Sequence, residues 1–206
     1  MPHRIENLFP TPVMISRVDM FDSIQAEITT AMETINFEMN PDWGQTHYLS
    51  DPTFETSLFD THDFPIFKEE IDRNLKAYAK EINFEVKDYI FHSSWIALFE
   101  KNNYGHIHNH GYADISGVYY YSRAEEDGHI FFESPTQSAA SSLAYWGGNI
   151  TMPSTTGTLL LFPGWLRHGI RPNKTDVPRV SLSFDIIFDR LQYSLRENIP
   201  LPGEMV

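Results

Sequence analysis

The stretch HIHNHGYADISGVYYYS, residues 106–122, carries the strongest signals for both the fold and the chemistry of this chain. It begins with three histidines on alternate positions, His106, His108 and His110. Side chains at i and i+2 of an extended strand point to the same side, so these imidazoles can converge on one metal ion. Histidines that are only structural or exposed to solvent are the alternative. The next run, Asp114 to Ser122, is rich in β-branched and aromatic residues and predicts a strand.

Similar β-rich runs, separated by Gly, Pro, Asn and Asp, fill the second half of the chain. About eight strands are predicted, at Val86–Phe99, Ile107–His110, Asp114–Ser122, His129–Glu133, Gly148–Met152, Thr158–Phe162, His168–Arg171 and Arg179–Phe188. No helical pattern interrupts them, which favours two packed sheets or a jelly roll.

Two helical patterns precede the strands. After an extended opening from Leu8 to Val18, apolar residues recur at helical spacing from about Asp22 to Ile35. A second helix is predicted from about Phe64 to Ile82, with Asp63 as its cap and Pro65 in its first turn. We therefore predict an α+β fold: a double-stranded β-helix (jelly roll, cupin-like) barrel buttressed by N-terminal helices.

The length suits one domain over residues 1–206. We expect helical support at 1–83, a jelly-roll core at 84–190 and an irregular tail at 191–206. The polar link from Trp43 to Ser50 is a surface loop or a segment folded over the site opening. The small-residue loop from Ser134 to Gly148 is a mobile lid or plain surface.

Charge and composition exclude several kinds of partner and chemistry. The chain has 15 basic and 28 acidic residues, a formal net charge of -13, which disfavours binding to nucleic acid or an anionic membrane. The absence of cysteine excludes disulfides, thiol catalysis and cysteine zinc sites. Without a secretion signal or a long apolar stretch, we expect a cytoplasmic protein with no membrane partner. The N-terminal helices leave a homodimer possible.

A second motif follows the predicted strand Thr158–Phe162. A Pro163-Gly164 turn leads to His168, and a jelly roll would deliver this histidine to the barrel mouth opposite the earlier histidine run. With Asn173, the arrangement is close to the two-part cupin pattern. Three imidazoles, or two with a carboxylate, leave open positions on the metal and suit non-haem Fe(II) or another divalent ion.

Arg179 and Ser181 alternate on one face of the last predicted strand. An arginine that points into an apolar barrel needs an anion, and its fork suits a carboxylate, with the Ser181 hydroxyl as a further donor. The alternative is an ion pair with an acidic side chain such as Asp185 or Glu133.

In these motifs the sequence resembles the 2-oxoglutarate and Fe(II)-dependent oxygenases, in which an Arg-x-Ser follows the distal histidine. More narrowly, it is similar to an oxygenase family found in bacteria and marine phages. The similar segments are Leu8-Phe-Pro-Thr-Pro-Val13, His108-x-His110 with Ile115-Ser-Gly-Val-Tyr-Tyr120, Leu161-Phe-Pro-Gly-Trp-Leu-Arg-His168 and Arg179-Val-Ser-Leu-Ser-Phe184. The resemblance spans nearly the whole chain and implies the prolyl-hydroxylase-like branch of the fold.

One position departs from that family. Its usual metal ligands are His-x-Asp or His-x-Glu and a distal histidine, whereas His110 stands where the carboxylate falls. Either three histidines bind the metal, or Asp114 or Glu133 supplies a carboxylate, or His106 and His108 form the proximal pair. We favour His108, His110 and His168, with Asp114 as the first substitute.

The resemblance implies a dioxygenase that uses Fe(II), 2-oxoglutarate and O2. It would hydroxylate a peptide side chain or a small molecule, with formation of succinate and CO2, in the host cytoplasm if a phage encodes it. Arg179 and Ser181 would hold the far carboxylate of 2-oxoglutarate, and Tyr119 and Tyr121 could hydrogen-bond the same molecule. The alternatives are a cupin-type metalloenzyme independent of 2-oxoglutarate and a non-catalytic jelly-roll binding module.

Overall fold

The computed structural model describes residues 10–41, 44–136 and 148–189. Predictions for residues before Pro10, for Trp43, for most of the Ser134–Gly148 loop and for the tail fall outside these ranges.

Within the described residues the chain is mostly β-sheet with three helices. The helices are α1 (Phe21–Met32), α2 (Leu58–Thr61) and α3 (Pro65–Glu81). The strands are β1 (Met14–Arg17), β2 (Glu38–Met39), β3 (Tyr48–Leu49), β4 (Tyr89–Phe99), β5 (Gly105–His108), β6 (Ile115–Ser122), β7 (Ile130–Phe132), β8 (Ile150–Met152), β9 (Thr158–Pro163), β10 (His168–Ile170) and β11 (Arg179–Phe188). Each predicted strand is confirmed as an element, most of them within a few residues of the predicted bounds.

The strands form two antiparallel sheets. The larger has seven strands in the order β1-β9-β6-β11-β4-β3-β2, and the smaller has four in the order β5-β10-β7-β8. β11 lies between β4 and β6 and pairs with both along most of its length. Part of the link predicted as a loop is strand β3, where Leu49 is buried and pairs with Ala97.

One face of the large sheet shares a hydrophobic cluster with the helices. The ring of Phe67 in α3 lies 5.1 Å from that of Tyr119 in β6. Alternate positions of the sheet and the apolar stripes of α1 and α3 contribute buried side chains to this cluster, among them Ile24, Ile28, Ile71, Leu75, Leu159, Leu161, Leu182 and Phe184.

The start of α3 differs from the prediction. Asp63 makes no capping hydrogen bond, and Phe64 is the residue before the helix. The Glu27 carboxylate of α1 instead accepts hydrogen bonds from the backbone N–H groups of Ile66 and Phe67, at 2.8 and 3.0 Å. A side chain distant in sequence therefore satisfies the first turn of α3, which local sequence cannot reveal.

Side chains from both sheets meet in a second cluster. Val118, Tyr120, Leu160 and Phe162 come from the large sheet, and Ile130 and Phe132 from the small one. The face of the large sheet away from the helices is thus turned toward the small sheet, and the candidate site lies on this side. No helix in the described ranges is long and apolar enough to span a membrane.

Candidate metal centre

His108, His110 and His168, hereafter the histidine cluster, lie together on the small-sheet side. His108 ends β5, His110 follows in the next turn, and His168 begins β10 directly opposite His108 in the antiparallel pair. One ring nitrogen from each lies within 4.8 Å of the other two. This separation suits three ligands converging on one metal ion.

The other ring nitrogen of each histidine is already engaged. Nδ1 of His108 lies 2.8 Å from the His106 carbonyl oxygen, and Nδ1 of His168 lies 2.9 Å from that of Leu166. Nδ1 of His110 lies 2.8 Å from the Asp185 carboxylate. These oxygens can only accept hydrogen bonds, so each Nδ1 carries the proton and each Nε2 offers a lone pair. Metal-binding histidines in proteins are oriented in this way.

Burial also favours the form of histidine that binds a metal. It lowers the pKa of His108 to about 4 and the pKa of His168 to about 3. Both rings are therefore neutral at pH 7, as metal ligation requires.

Three residues considered from sequence lie outside the cluster. His106 is exposed and packs its ring against Tyr104 at 5.0 Å. The Asp114 carboxylate accepts a hydrogen bond from the backbone N–H of Phe188, and Glu133 accepts one from Arg167. Among the described residues, the group of side chains able to hold a metal is made of histidines alone.

The Asp185 carboxylate contacts the histidine cluster directly, through His110. It is fully buried and accepts hydrogen bonds from His110, Ser93, Tyr112 and Ser116. Burial by itself would raise the pKa of Asp185, but these hydrogen bonds hold it below its ordinary value. From the sequence alone, Asp185 is a candidate only as an ion-pair partner for Arg179. Its alternate spacing from Arg179 and Ser181 is the signal that places it on the same side of β11.

A cavity of about 600 Å³ lies beside the histidine cluster. Its wall includes Arg179 and Ser181 of β11 and Ala97 and Phe99 of β4. The cluster and Arg179 therefore open into one space, large enough for a small organic acid beside a metal ion.

Arg179 is wholly buried, and none of its three side-chain nitrogens has a hydrogen-bond partner among the described residues. Burial lowers its pKa to about 10, so the guanidinium is charged at pH 7. The acidic partners considered from sequence are engaged elsewhere: Asp185 with His110, and Glu133 with Arg167. A buried, charged donor without an acceptor is costly unless an anion completes it.

The two tyrosines proposed from sequence lie on the helix side of β6. Tyr119 packs among the helices and the sheet, and the Tyr121 hydroxyl lies 2.9 Å from that of Thr29 in α1. Tyr120 points to the cavity side, where its ring lies 5.2 Å from the Arg179 guanidinium and its hydroxyl has no hydrogen-bond partner in the described parts of the chain. The spacing correctly paired Tyr119 with Tyr121, but which face of β6 is turned to the cavity depended on where the helices pack.

His47 was not singled out from sequence. It lines the cavity and stacks on Phe99, with ring centres 4.5 Å apart. Burial, together with nearby His108 and Arg179, lowers its pKa to about 4. Only the pairing of β3 with β4 brings this residue to the site.

The residues fit a divalent metal together with a carboxylate ligand. Three neutral imidazoles with fixed tautomers suit Fe(II) and related ions and leave coordination positions open. The unpartnered fork of Arg179 suits a carboxylate in the same cavity.

Comparison with protein families agrees with this chemistry. Residues 93–185 match a family described as "Putative 2OG-Fe(II) oxygenase". The matched region contains the histidine cluster, Arg179, Ser181 and Asp185. None of the curated protein sequences matches the chain.

Three solved structures with a similar fold match this chain at low sequence identity. The epimerase SnoN, described as non-heme and alpha ketoglutarate dependent, from nogalamycin biosynthesis, has a TM-score of 0.63 at 13% identity, over 86% of this chain and 78% of that chain. HygX from Streptomyces hygroscopicus, with nickel, 2-oxoglutarate and hygromycin B bound, has a TM-score of 0.60 at 12% identity, over 87% of this chain and 84% of that chain. A Pseudomonas putida prolyl-4-hydroxylase has a TM-score of 0.56 at 14% identity, over 85% of this chain and 92% of that chain. At these identities the likeness concerns the fold.

Proposed function

We infer that this chain is a 2OG-Fe(II) oxygenase, a non-haem iron enzyme that uses Fe(II), 2-oxoglutarate and O2, because residues 93–185 match the model of that family. We propose that it hydroxylates a C–H bond of a peptide side chain or a small molecule. In the same proposal the fold is a double-stranded β-helix supported by α1 and α3.

The observation that carries this proposal is the unpartnered Arg179 in the cavity of the histidine cluster. A metal site alone would suit many reactions. A buried guanidinium in the same space calls for an anionic co-substrate, and 2-oxoglutarate has a carboxylate at each end.

Each group of residues has a role in this scheme. The histidine cluster would hold Fe(II) through three Nε2 atoms. Arg179 and Ser181 would bind the far carboxylate of 2-oxoglutarate and fix its orientation. Iron with 2-oxoglutarate and O2 supplies the oxidising power: one oxygen atom enters the substrate and the other enters succinate, with release of CO2. The apolar walls of the cavity, among them Phe99, Val118 and Phe162, exclude water from the oxidant.

The substrate would enter where exposed aromatic side chains line the cavity. Phe54 and Tyr112 are exposed there, and the Phe54 ring meets Trp95 edge-on at 5.7 Å. Trp95 in turn stacks on His110 at 5.5 Å between ring centres. An aromatic wall thus leads from solvent to a metal ligand, which suits a substrate with an apolar or planar part.

Anaerobic titration tests this proposal. Metal-free protein is titrated with Fe(II) and then with 2-oxoglutarate, and the visible charge-transfer band of the chelate is recorded. We expect the band in the parent and its loss at the same 2-oxoglutarate concentration in Arg179→Ala, with unchanged Fe(II) affinity. Arg171→Ala is the matched control, because Arg171 stacks on Phe131 outside the cavity and should leave the band intact.

Two results would contradict the proposal. Equal 2-oxoglutarate affinity in Arg179→Ala would show that the co-substrate does not use this arginine. Iron binding without any band in the parent would favour the cupin-type metalloenzyme, with Arg179 holding an acidic substrate instead.

A further inference from the structure

Asp185 distinguishes His110 from the other two members of the histidine cluster. The Nδ1 protons of His108 and His168 go to neutral backbone carbonyls. That of His110 meets a carboxylate, with both Asp185 oxygens within 2.9 Å. One of the three imidazoles is therefore polarised by a full negative charge.

The hydrogen bonds around Asp185 require the ionised form. Ser93 and Tyr112 donate to one oxygen at 2.9 and 2.8 Å, and Ser116 donates to the other at 2.6 Å. Together with His110 this makes four donors on two oxygens. Only an ionised carboxylate accepts at all of these positions, since a carboxylic acid must donate at one of them.

The residues that line the cavity offer little negative charge near the metal position. Three neutral imidazoles add no charge to a divalent ion, whereas a set with a carboxylate adds one negative charge. Among the cavity-lining residues the structure describes, the only acidic side chain is Glu55, which is exposed. Asp185 stands directly behind His110 and is wholly buried, so water does not screen it.

We propose that Asp185 is a positioning residue that supplies, through the Nδ1–H of His110, the negative charge that a three-histidine site lacks. The carboxylate is thereby placed one imidazole farther from the metal than a direct ligand would be. Its hydrogen bond fixes the ring of His110 and makes Nε2 a stronger donor. Ser93, Tyr112 and Ser116 hold the carboxylate in place. This inference rests on the proposed function only for the identity of the metal.

Asp185→Asn removes the negative charge and keeps the shape of the side chain. The amide oxygen can still accept from His110, and the amide nitrogen can donate to the hydroxyl groups, so the fold has suitable partners. We expect Fe(II) affinity, measured anaerobically, to fall roughly 10- to 100-fold. At saturating Fe(II) and 2-oxoglutarate, the charge-transfer band should move to shorter wavelength. Loss of the negative charge lowers the energy of the metal d electrons, so more energy is needed to transfer one to 2-oxoglutarate. Asp114→Asn is the matched control: it removes a carboxylate charge outside the histidine cluster, and its amide oxygen can still accept from the Phe188 N–H, so both readouts should stay close to the parent.

The results for these variants support or overturn the role of Asp185. Parent affinity and an unshifted band in Asp185→Asn would overturn the proposal and leave Asp185 a structural residue. If that variant does not melt cooperatively, the double variant Ser93→Ala with Tyr112→Phe is measured instead. Because these two donors hold the carboxylate in place, the proposal expects weaker Fe(II) binding in the double variant, and parent affinity would overturn it. If the parent binds Fe(II) but forms no 2-oxoglutarate band, the proposed function fails, and the Fe(II) affinities still judge Asp185.

Discussion

The Arg179 guanidinium lies 4.8 Å from the ring centre of Phe99, its cross-strand partner on β4. The aromatic ring stabilises the positive charge but accepts no conventional hydrogen bond, so the N–H groups remain available. A buried arginine held in this way is prepared for an anion that the protein does not itself supply.

Arg179→Lys should bind 2-oxoglutarate poorly although it keeps a positive charge. Lysine lacks the planar fork that pairs with both oxygens of a carboxylate. We expect an affinity loss of about tenfold or more, measured by anaerobic titration of the Fe(II)-loaded protein. Parent affinity in this variant would mean that charge alone matters.

Tyr120→Phe should weaken 2-oxoglutarate binding several-fold without loss of stability. Its hydroxyl is buried beside Arg179 and has no partner in the described chain, so it is free to donate to the co-substrate. One neutral hydrogen bond corresponds to about 1 kcal/mol. Tyr121→Phe is the matched control, because that hydroxyl contacts Thr29 on the helix side. An equal effect of both variants would contradict the assigned faces of β6.

The metal-free protein should lose stability as pH falls below about 6.5. His47, His108 and His168 have folded-state pKa values of about 4, 4 and 3, against 6.5 for the ordinary group. As pH falls, the histidines of the unfolded chain take up protons first, which favours unfolding. The free energy of unfolding is therefore unaffected above about pH 6.5 and declines as pH falls toward the folded-state pKa values. Each group contributes a slope of about 1.4 kcal/mol per pH unit in that interval.

Urea unfolding of the metal-free protein at pH 7, 6 and 5 measures this effect. His47→Gln, which removes one of the three groups, should reduce the slope. A free energy of unfolding that stays constant over these pH values would show that the histidines titrate normally.

Glu27→Gln should destabilise the protein by about 1 kcal/mol, because the charged carboxylate caps the first turn of α3 and favours its positive end. Asp63→Asn should change stability little, since Asp63 forms no cap. Chemical denaturation compares the two variants. A larger loss in Asp63→Asn would contradict the tertiary cap.

Gly117→Ala should destabilise the large sheet, because an added Cβ would lie 2.1 Å from the Phe184 ring. Phe184 is fully buried between the sheet and the helices and cannot move freely. We expect a loss of about 1–3 kcal/mol in the free energy of unfolding. Gly148→Ala, where a Cβ meets nothing within 4 Å, serves as the control and should lie close to the parent.

The sequence by itself determined the strands and which side chains share a face. Patterns such as Thr158–Phe162 and Arg179–Phe188 are local, because β-propensity and a period of two depend on neighbouring residues. The same period placed Arg179 with Ser181 and Tyr119 with Tyr121. The assignment to a jelly roll also predicted that His168 would lie opposite the histidine run that contains His108.

Only the tertiary structure decided which face of a strand is turned to the cavity and which distant residues meet. His106 is exposed within β5, whereas His110, which follows the end of that strand, is buried. Because the helices pack on one side of β6, Tyr120 lies on the other side, beside Arg179. Asp185 reaches His110 across 75 positions of sequence, and Glu27 reaches Ile66 across 39. Alternation fixes relative orientation along a strand, but the choice of face and partner depends on long-range packing that no local pattern contains.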